Sequence, residues 1–325
     1  MNRQRIDAIK SRLRIPVMAG PMFIASTADL VIAQCRAGII GSMPALNARS
    51  AAALDEDVAR IRESVGDRPY AINLVAHSSN ARLASDLEIV LRHKVPIVVL
   101  ALAANGDLVR ELQANGILVF QDVVRDRHAR KCAELGVDGI IAVGAGAGGH
   151  TGCISPFALM QEIREWWDGL LLLSGCIATG RDVLAAEVLG ADLAYVGSAF
   201  LASTEANTQE GFRRMVVKGS SADIVTTNCF TGIDANFLVP SLLQNGLDPK
   251  TLKRREGGIN IDGGGDNAKA WKEIWSAGQG IGAVKRSEPA AAYIDRLAAD
   301  YAAARTAMGM PARTGGTINR EGTRP

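Results

Sequence analysis

The chain is poor in aromatic residues: Phe, Tyr and Trp together make up 5% of its 325 residues. That scarcity speaks against an aromatic-rich β-sandwich and favours α/β packing of small residues. Charge of one sign is lacking too. Lys plus Arg number 36 against 34 Asp plus Glu, a formal balance of +2, and no basic stripe with interleaved aromatics appears, so nucleic acid is not an expected partner. The densest basic cluster, Lys253-Arg254-Arg255, is closed off by Glu256 and reads as a solvated face. No apolar run reaches the ~18 residues of a membrane span. The N-terminus carries charge but no apolar stretch of the secretory kind. Cys35, Cys132, Cys153, Cys176 and Cys229 are scattered without CxxC spacing. An odd, dispersed set suits reduced thiols better than a disulfide framework or a zinc site. The expectation is a soluble, cytoplasmic protein with no membrane or nucleic-acid partner and no metal; a homo-oligomer is left open.

What the chain does have is glycine, 34 residues of it, and a regular beat of short β-rich runs. These are Ile15–Ala19, Gly38–Met43, Tyr70–Val75, Pro96–Leu102, Leu118–Val123, Gly139–Gly144, Leu170–Gly175 and Leu193–Ser198. Runs such as IVVLAL lack polar alternation, as strands covered on both faces of a parallel sheet do. Helical patterns fill the gaps. Ser155-Pro156 offers an N-cap before a first-position proline. Leu83, Leu87, Val90 and Leu91 share one helical face between Asn80 and His93. Thr179 and Asp182 have capping-box spacing. Eight βα units in succession predict an α/β fold, a (β/α)8 TIM barrel; periodicity alone leaves an open doubly wound sheet as the alternative. The barrel is expected over residues 1–203, a mainly helical insertion subdomain after the eighth strand over 204–276, a segment packing back on the barrel over 277–310, and a flexible tail over 311–325.

A barrel of this kind carries its chemistry at the C-terminal ends of its strands. The stretch Gly144-Ala-Gly-Ala-Gly-Gly-His150 follows the sixth strand. Glycines there permit positive φ and a close backbone approach to a ligand. Gly144, Gly146 and Gly149 spell GxGxxG, but the position, after a sixth strand and with no helix opening at its end, argues against a dinucleotide fingerprint. His150 ends the loop and is the candidate catalytic residue, able to take a proton or donate a hydrogen bond near neutrality. His93 and His128 fall in helical patterns, and His77 follows the third strand as a loop residue. The seventh and eighth strands end in Ser174-Gly175-Cys176 and Gly197-Ser198-Ala199. Paired loops at those two strands suit a phosphate. Met22 after the first strand, Asn73 in the third and Gln121 near the end of the fifth are candidates to line a flat ring, the two amides because each both donates and accepts.

Taken together, AGPM after the first strand, AGAGGHTG after the sixth, LSGCIATG after the seventh, YVGSAFLAS after the eighth and the later IWSAGQGIG resemble the nitronate monooxygenases, formerly called 2-nitropropane dioxygenases. The collinear match runs from about Ile15 to Gly282. The resemblance implies an FMN-binding barrel that oxidises alkyl nitronates, or nitroalkanes, with O2 to a carbonyl compound and nitrite. It implies His150 as the catalytic residue, and Met22, Asn73, Gln121, Gly149, Ser174, Gly175, Gly197 and Ser198 as flavin contacts, joined by Trp275, Gly278 and Gln279 on the returning segment. Some members of the family carry Lys where Gln121 stands, many a second Gly where Cys176 stands, and some Arg where Ala199 stands. The alternatives are an NAD(P)H-dependent flavin reductase acting on quinones or enoyl thioesters, and a flavin-free binding protein on the same fold.

Overall fold

The computed structural model describes residues 3–77, 79–102, 105–256 and 271–313. Eight parallel strands form one sheet: β1 (Val17–Ala19), β2 (Gly41–Pro44), β3 (Tyr70–Val75), β4 (Ile97–Ala101), β5 (Leu118–Val123), β6 (Gly139–Val143), β8 (Leu170–Ser174) and β9 (Leu193–Val196). β1 pairs with β9 in register Val17↔Ala194. It meets β2 through the Met18↔Ile40 bridge, with Ala19 N–H donating to Ile40 O at 2.8 Å. The ring of strands therefore closes, and the open-sheet alternative falls. Two expected strands, β3 and β5, have the observed bounds; β2 starts three residues later than expected and ends one later, and the others are shorter by a residue or more.

Side-chain alternation divides the core in two. Met18, Ile40, Val99, Leu118, Phe120, Ile141 and Leu172 fill the interior of the barrel. Val98, Leu100, Val119, Ile140, Leu171 and Val196 face outward to the helices. Helix α1 (Arg3–Ser11) places Ile6 in the interior cluster, so it plugs the N-terminal end. The outer helices are α2 (Ala28–Arg36), α3 (Ala51–Val65), α4 (Leu83–Arg92), α5 (Gly106–Ala114), α6 (Asp126–Glu134), α7 (Pro156–Arg164) and α8 (Gly180–Val188). Thr179 and Asp182 form the expected capping box. Pro156 opens α7 at its first position, although the Ser155 hydroxyl makes no cap bond.

After β9 come α9 (Glu210–Lys218), β10 (Ile224–Thr227), β11 (Ala235–Leu238) and α10 (Val239–Gln244). Among the described residues this region carries two α-helices, and it also builds a small antiparallel sheet that the sequence did not signal. β11 sits at its centre, flanked by β10 and by β7 (Gly149–His150), a two-residue strand in the barrel's glycine loop. The expected turns at Gly257-Gly258 and Gly263-Gly264-Gly265 lie outside the described residues, as does the tail from residue 314. The last helix, α11 (Ala290–Ala307), packs between α8 and α2 and completes the outer layer. It crosses α8 at Gly180, where a Cβ would lie 2.1 Å from Tyr301 N.

Candidate active site

The barrel mouth is framed by inward side chains at the C-terminal strand ends. On β5, Leu118 and Phe120 belong to the interior while Val119 and Val123 face the helices. Alternation then points Asp122 into the mouth and turns Gln121 outward. Gln121, expected as a ring contact, is buried on the face of β5 opposite Phe120, one residue out of step with the inward row. Asn73 shares the inward face of β3 with Ala71, and its Nδ2 donates to Val99 O at 3.0 Å. Ser174 follows the inward Leu170 and Leu172. Tyr195 packs on the interior cluster from β9, with its ring under Gly20.

Asp122 is the group that residue-by-residue reasoning missed. Its Oδ1 is buried with no hydrogen-bond partner among the described residues. Burial pushes its carboxyl up to about 6. The Tyr195 phenol is raised as well, first by burial and then by the charge of Asp122. An acid therefore stands in a mouth that also carries Asn73, Ser174 and Tyr195.

The glycine loop is held by close contacts on two sides. A Cβ on Gly146 would lie 2.4 Å from Cys176 Sγ, and one on Gly278 would lie 2.5 Å from Gly146 O. Gln279 N–H donates to Gly146 O at 2.9 Å. The returning segment thus packs directly on the loop, and several of its glycines serve contact between protein strands. Gly149 differs: a Cβ there would meet nothing within 4 Å, although φ is +72°. Gly197 also faces space, with Met22 Cγ its nearest neighbour at 3.9 Å.

His150 is fixed by the small sheet, where it pairs with Ala235. Its ring meets Trp271 edge-on at 5.5 Å between centroids. Its Nε2 lies 3.3 Å from Thr231 Oγ1. The Thr231 hydroxyl has one proton, and Ile233 O accepts it at 3.2 Å. Thr231 Oγ1 is then the acceptor toward His150, which assigns the proton to Nε2 and leaves Nδ1 with its lone pair. Burial pushes the imidazole down to about 4, so the ring is neutral at pH 7. Ser276 adds a second restraint: its Oγ accepts from Gly149 N–H at 2.9 Å and donates to Asn236 O at 2.5 Å. Thr231, Trp271, Asn236 and Ser276 were invisible to sequence reasoning because they come from the far side of the insertion.

The other histidines are placed elsewhere. His93 caps α4 and meets Asp55, His128 lies on α6, and His77 bonds locally to Ser79. Among the described residues no group of three His, Cys, Asp or Glu gathers as a metal site.

The two loops after β8 and β9 lie beside the glycine loop. The backbone N–H groups of Gly175, Cys176, Ser198 and Ala199 have no acceptor among the described residues. Amides gathered in this way attract an anion. Ser198 Oγ accepts from Gly278 N–H at 2.8 Å, keeping its own proton for a further acceptor. Trp275 is corrected to a packing role: its indole stacks on Phe212 of α9 at 5.2 Å and donates to Lys272 O. Free amides beside a barrel mouth lined by Asn73, Asp122 and Met22 fit a flat ring carrying a phosphate.

A family model described as nitronate monooxygenase matches residues 76–300. The nitronate monooxygenase of Paraburkholderia phytofirmans is 28% identical over 338 aligned positions, which cover 87% of this chain and 91% of that protein. A Mycobacterium tuberculosis protein named (3aS,4S,5R,7aS)-5-hydroxy-7a-methyl-1-oxo-octahydro-1H-indene-4-carboxyl-CoA dehydrogenase is 29% identical over 70% of this chain and 64% of its own length. Among solved structures, nitroalkane oxidase from Streptomyces ansochromogenes superposes with a TM-score of 0.75 at 25% identity, over 93% of this chain and 99% of that one. FabK from Thermotoga maritima, 23% identical, shares the barrel with a TM-score of 0.77 over 94% of this chain and 98% of its own.

Proposed function

This chain belongs to the nitronate monooxygenase family of flavin-dependent oxidoreductases, and we propose that it binds FMN and oxidises alkyl nitronates, or the parent nitroalkanes, with O2 to a carbonyl compound and nitrite. The observation that carries this is the neutral imidazole of His150, held beside the barrel mouth with a lone pair on Nδ1. A bound flavin supplies the two-electron acceptor and the route to O2.

The protein's part is to hold and orient. The amides of Gly175, Cys176, Ser198 and Ala199, with the hydroxyls of Ser174 and Ser198, would take the phosphate. Met22, Asn73, Gly149 and Gly197 would lie against the ring, with Gly278 and Gln279 holding the loop from behind. For a neutral nitroalkane, Nδ1 of His150 takes the α-proton while Thr231 keeps Nε2–H oriented; the positive charge then formed offsets that of the nitronate. A substrate supplied as the nitronate has already lost that proton, and the imidazole only orients it.

A second reading is NAD(P)H-dependent flavin reduction acting on a thioester; the relative named as a carboxyl-CoA dehydrogenase supports that substrate class. Anaerobic titration separates the two. Bleaching of the bound flavin by propionate 3-nitronate alone is the expected result. Bleaching by NADH or NADPH, with none by the nitronate, would overturn it.

A further inference from the structure

The floor of the barrel mouth holds a carboxyl that no step above employs. Asp122 projects inward from β5, above Phe120 and across from Tyr195 of β9. The strands on either side present Val99 from β4 and Val143 from β6 on the same inner face. Its Oδ1 is buried without a partner among the described residues. A buried polar atom left unmatched is costly, and a ligand that completes it removes that cost.

We propose that the Asp122 carboxyl is the contact this chain offers to the flavin ring from inside the barrel, donating a hydrogen bond in its acid form and losing that bond on ionisation. This rests on the assignment of a flavin to the mouth. The chemistry follows from the donor count. A protonated carboxyl has one O–H to give, and a flavin's ring carbonyls and ring nitrogens accept. A carboxylate has only lone pairs to turn toward those acceptors, and the contact becomes repulsive. Among the described residues no opposite charge acts on it to hold the acid ionised. The titratable groups that feel it are Tyr195 and, from α6, Cys132. Burial raises both, Cys132 to about 12, so neither changes charge in the range where Asp122 does. His150, pushed down to about 4, titrates below it. The acid form of Asp122 dominates below about 6 and the carboxylate above, so flavin affinity should fall as pH rises through that value.

The test compares the holoprotein with Asp122→Asn, which keeps shape and loses the titration. The phosphate of FMN ionises in the same range but does so in both proteins, so the readout is the ratio of their FMN dissociation constants, followed by flavin fluorescence on dilution. That ratio should change roughly tenfold between about pH 5 and about pH 8, the worth of one hydrogen bond turned to repulsion. A constant ratio overturns the proposal. As a check that needs no variant, the visible spectrum of the wild-type bound flavin should shift in a one-proton transition above pH 6, because the bound ring stabilises the acid form; a spectrum unchanged across the range overturns it as well. A wild-type protein that takes up no FMN at any pH overturns the cofactor assignment itself, and is distinguishable from both of those results.

Discussion

Ser276 Oγ accepts the backbone N–H of Gly149 at 2.9 Å, joining the segment that returns from the insertion to the residue before His150. The same hydroxyl donates to Asn236 O, so one side chain fastens β7 and β11 together. Ser276→Ala leaves both groups without this partner, at a cost of about 1–3 kcal/mol. Turnover at saturating FMN should fall several-fold while flavin content is kept. Equal turnover in the two proteins, measured with flavin content matched, would remove Ser276 from the positioning of His150.

His150→Gln should lower the rate by about 10²–10⁴-fold with FMN still bound, the usual loss for a general base. The effect should be largest with neutral nitroalkane, where a proton must be taken, and smaller with preformed nitronate. An equal loss on both substrates would show that the side chain orients and does not abstract.

The same histidine has a signature in stability. Its folded value is pushed down to about 4 from an ordinary 6.5. Between those values the unfolded chain binds a proton that the native one refuses. Stability is therefore full above pH 6.5 and declines as pH falls toward 4. Denaturant titrations at several pH values should show a shallower acid loss in His150→Gln than in the wild type. Identical slopes would mean that the imidazole is more hydrated than its position implies.

Two glycines of the site should respond differently to Ala. At Gly278 a Cβ would lie 2.5 Å from Gly146 O, which is backbone and cannot move aside cheaply; flavin content and melting temperature should both drop. At Gly149 no protein atom lies within 4 Å of a Cβ, so the loss of melting temperature is limited to holding φ at +72°, about 1–2 kcal/mol, while flavin content falls because that face is set against the ring. Equal losses of melting temperature at the two positions, measured without FMN, would contradict this division.

Gly180→Ala tests the outer layer instead. With a Cβ 2.1 Å from Tyr301 N, α11 must move away from α8. Overpacking of this kind costs about 1–3 kcal/mol. A fall in melting temperature with normal activity per bound flavin is expected, and an unchanged melt would show that α11 docks loosely.

The strand order and the position of His150 could be read from the sequence because each is local. IVVLAL is apolar on both faces, and a glycine loop follows the sixth strand wherever the rest of the chain goes. Other features depended on register or distance. Gln121 and Asp122 are adjacent polar residues on a strand, and a period of two assigns them to opposite faces; only the interior placement of Phe120 decides which is which. Trp275 lies in a segment that runs to the glycine loop, yet stacking on Phe212, far away in sequence, takes its ring elsewhere. Thr231 and Ser276 become visible only when β11 is laid beside β7, a pairing of two residues with no periodic signal of its own.

That pairing also orders events in time. His150 emerges from the ribosome well before Ala235, its strand partner, and Ser276 follows later still. The barrel strands are complete by Val196, so a nascent chain can close its ring while the histidine is still untethered. Competence for chemistry then arrives last, when the returning segment docks. A chain stopped before it would lack the Ser276 restraint and α11, and would hold His150 by its Ala235 pairing and the Thr231 contact alone.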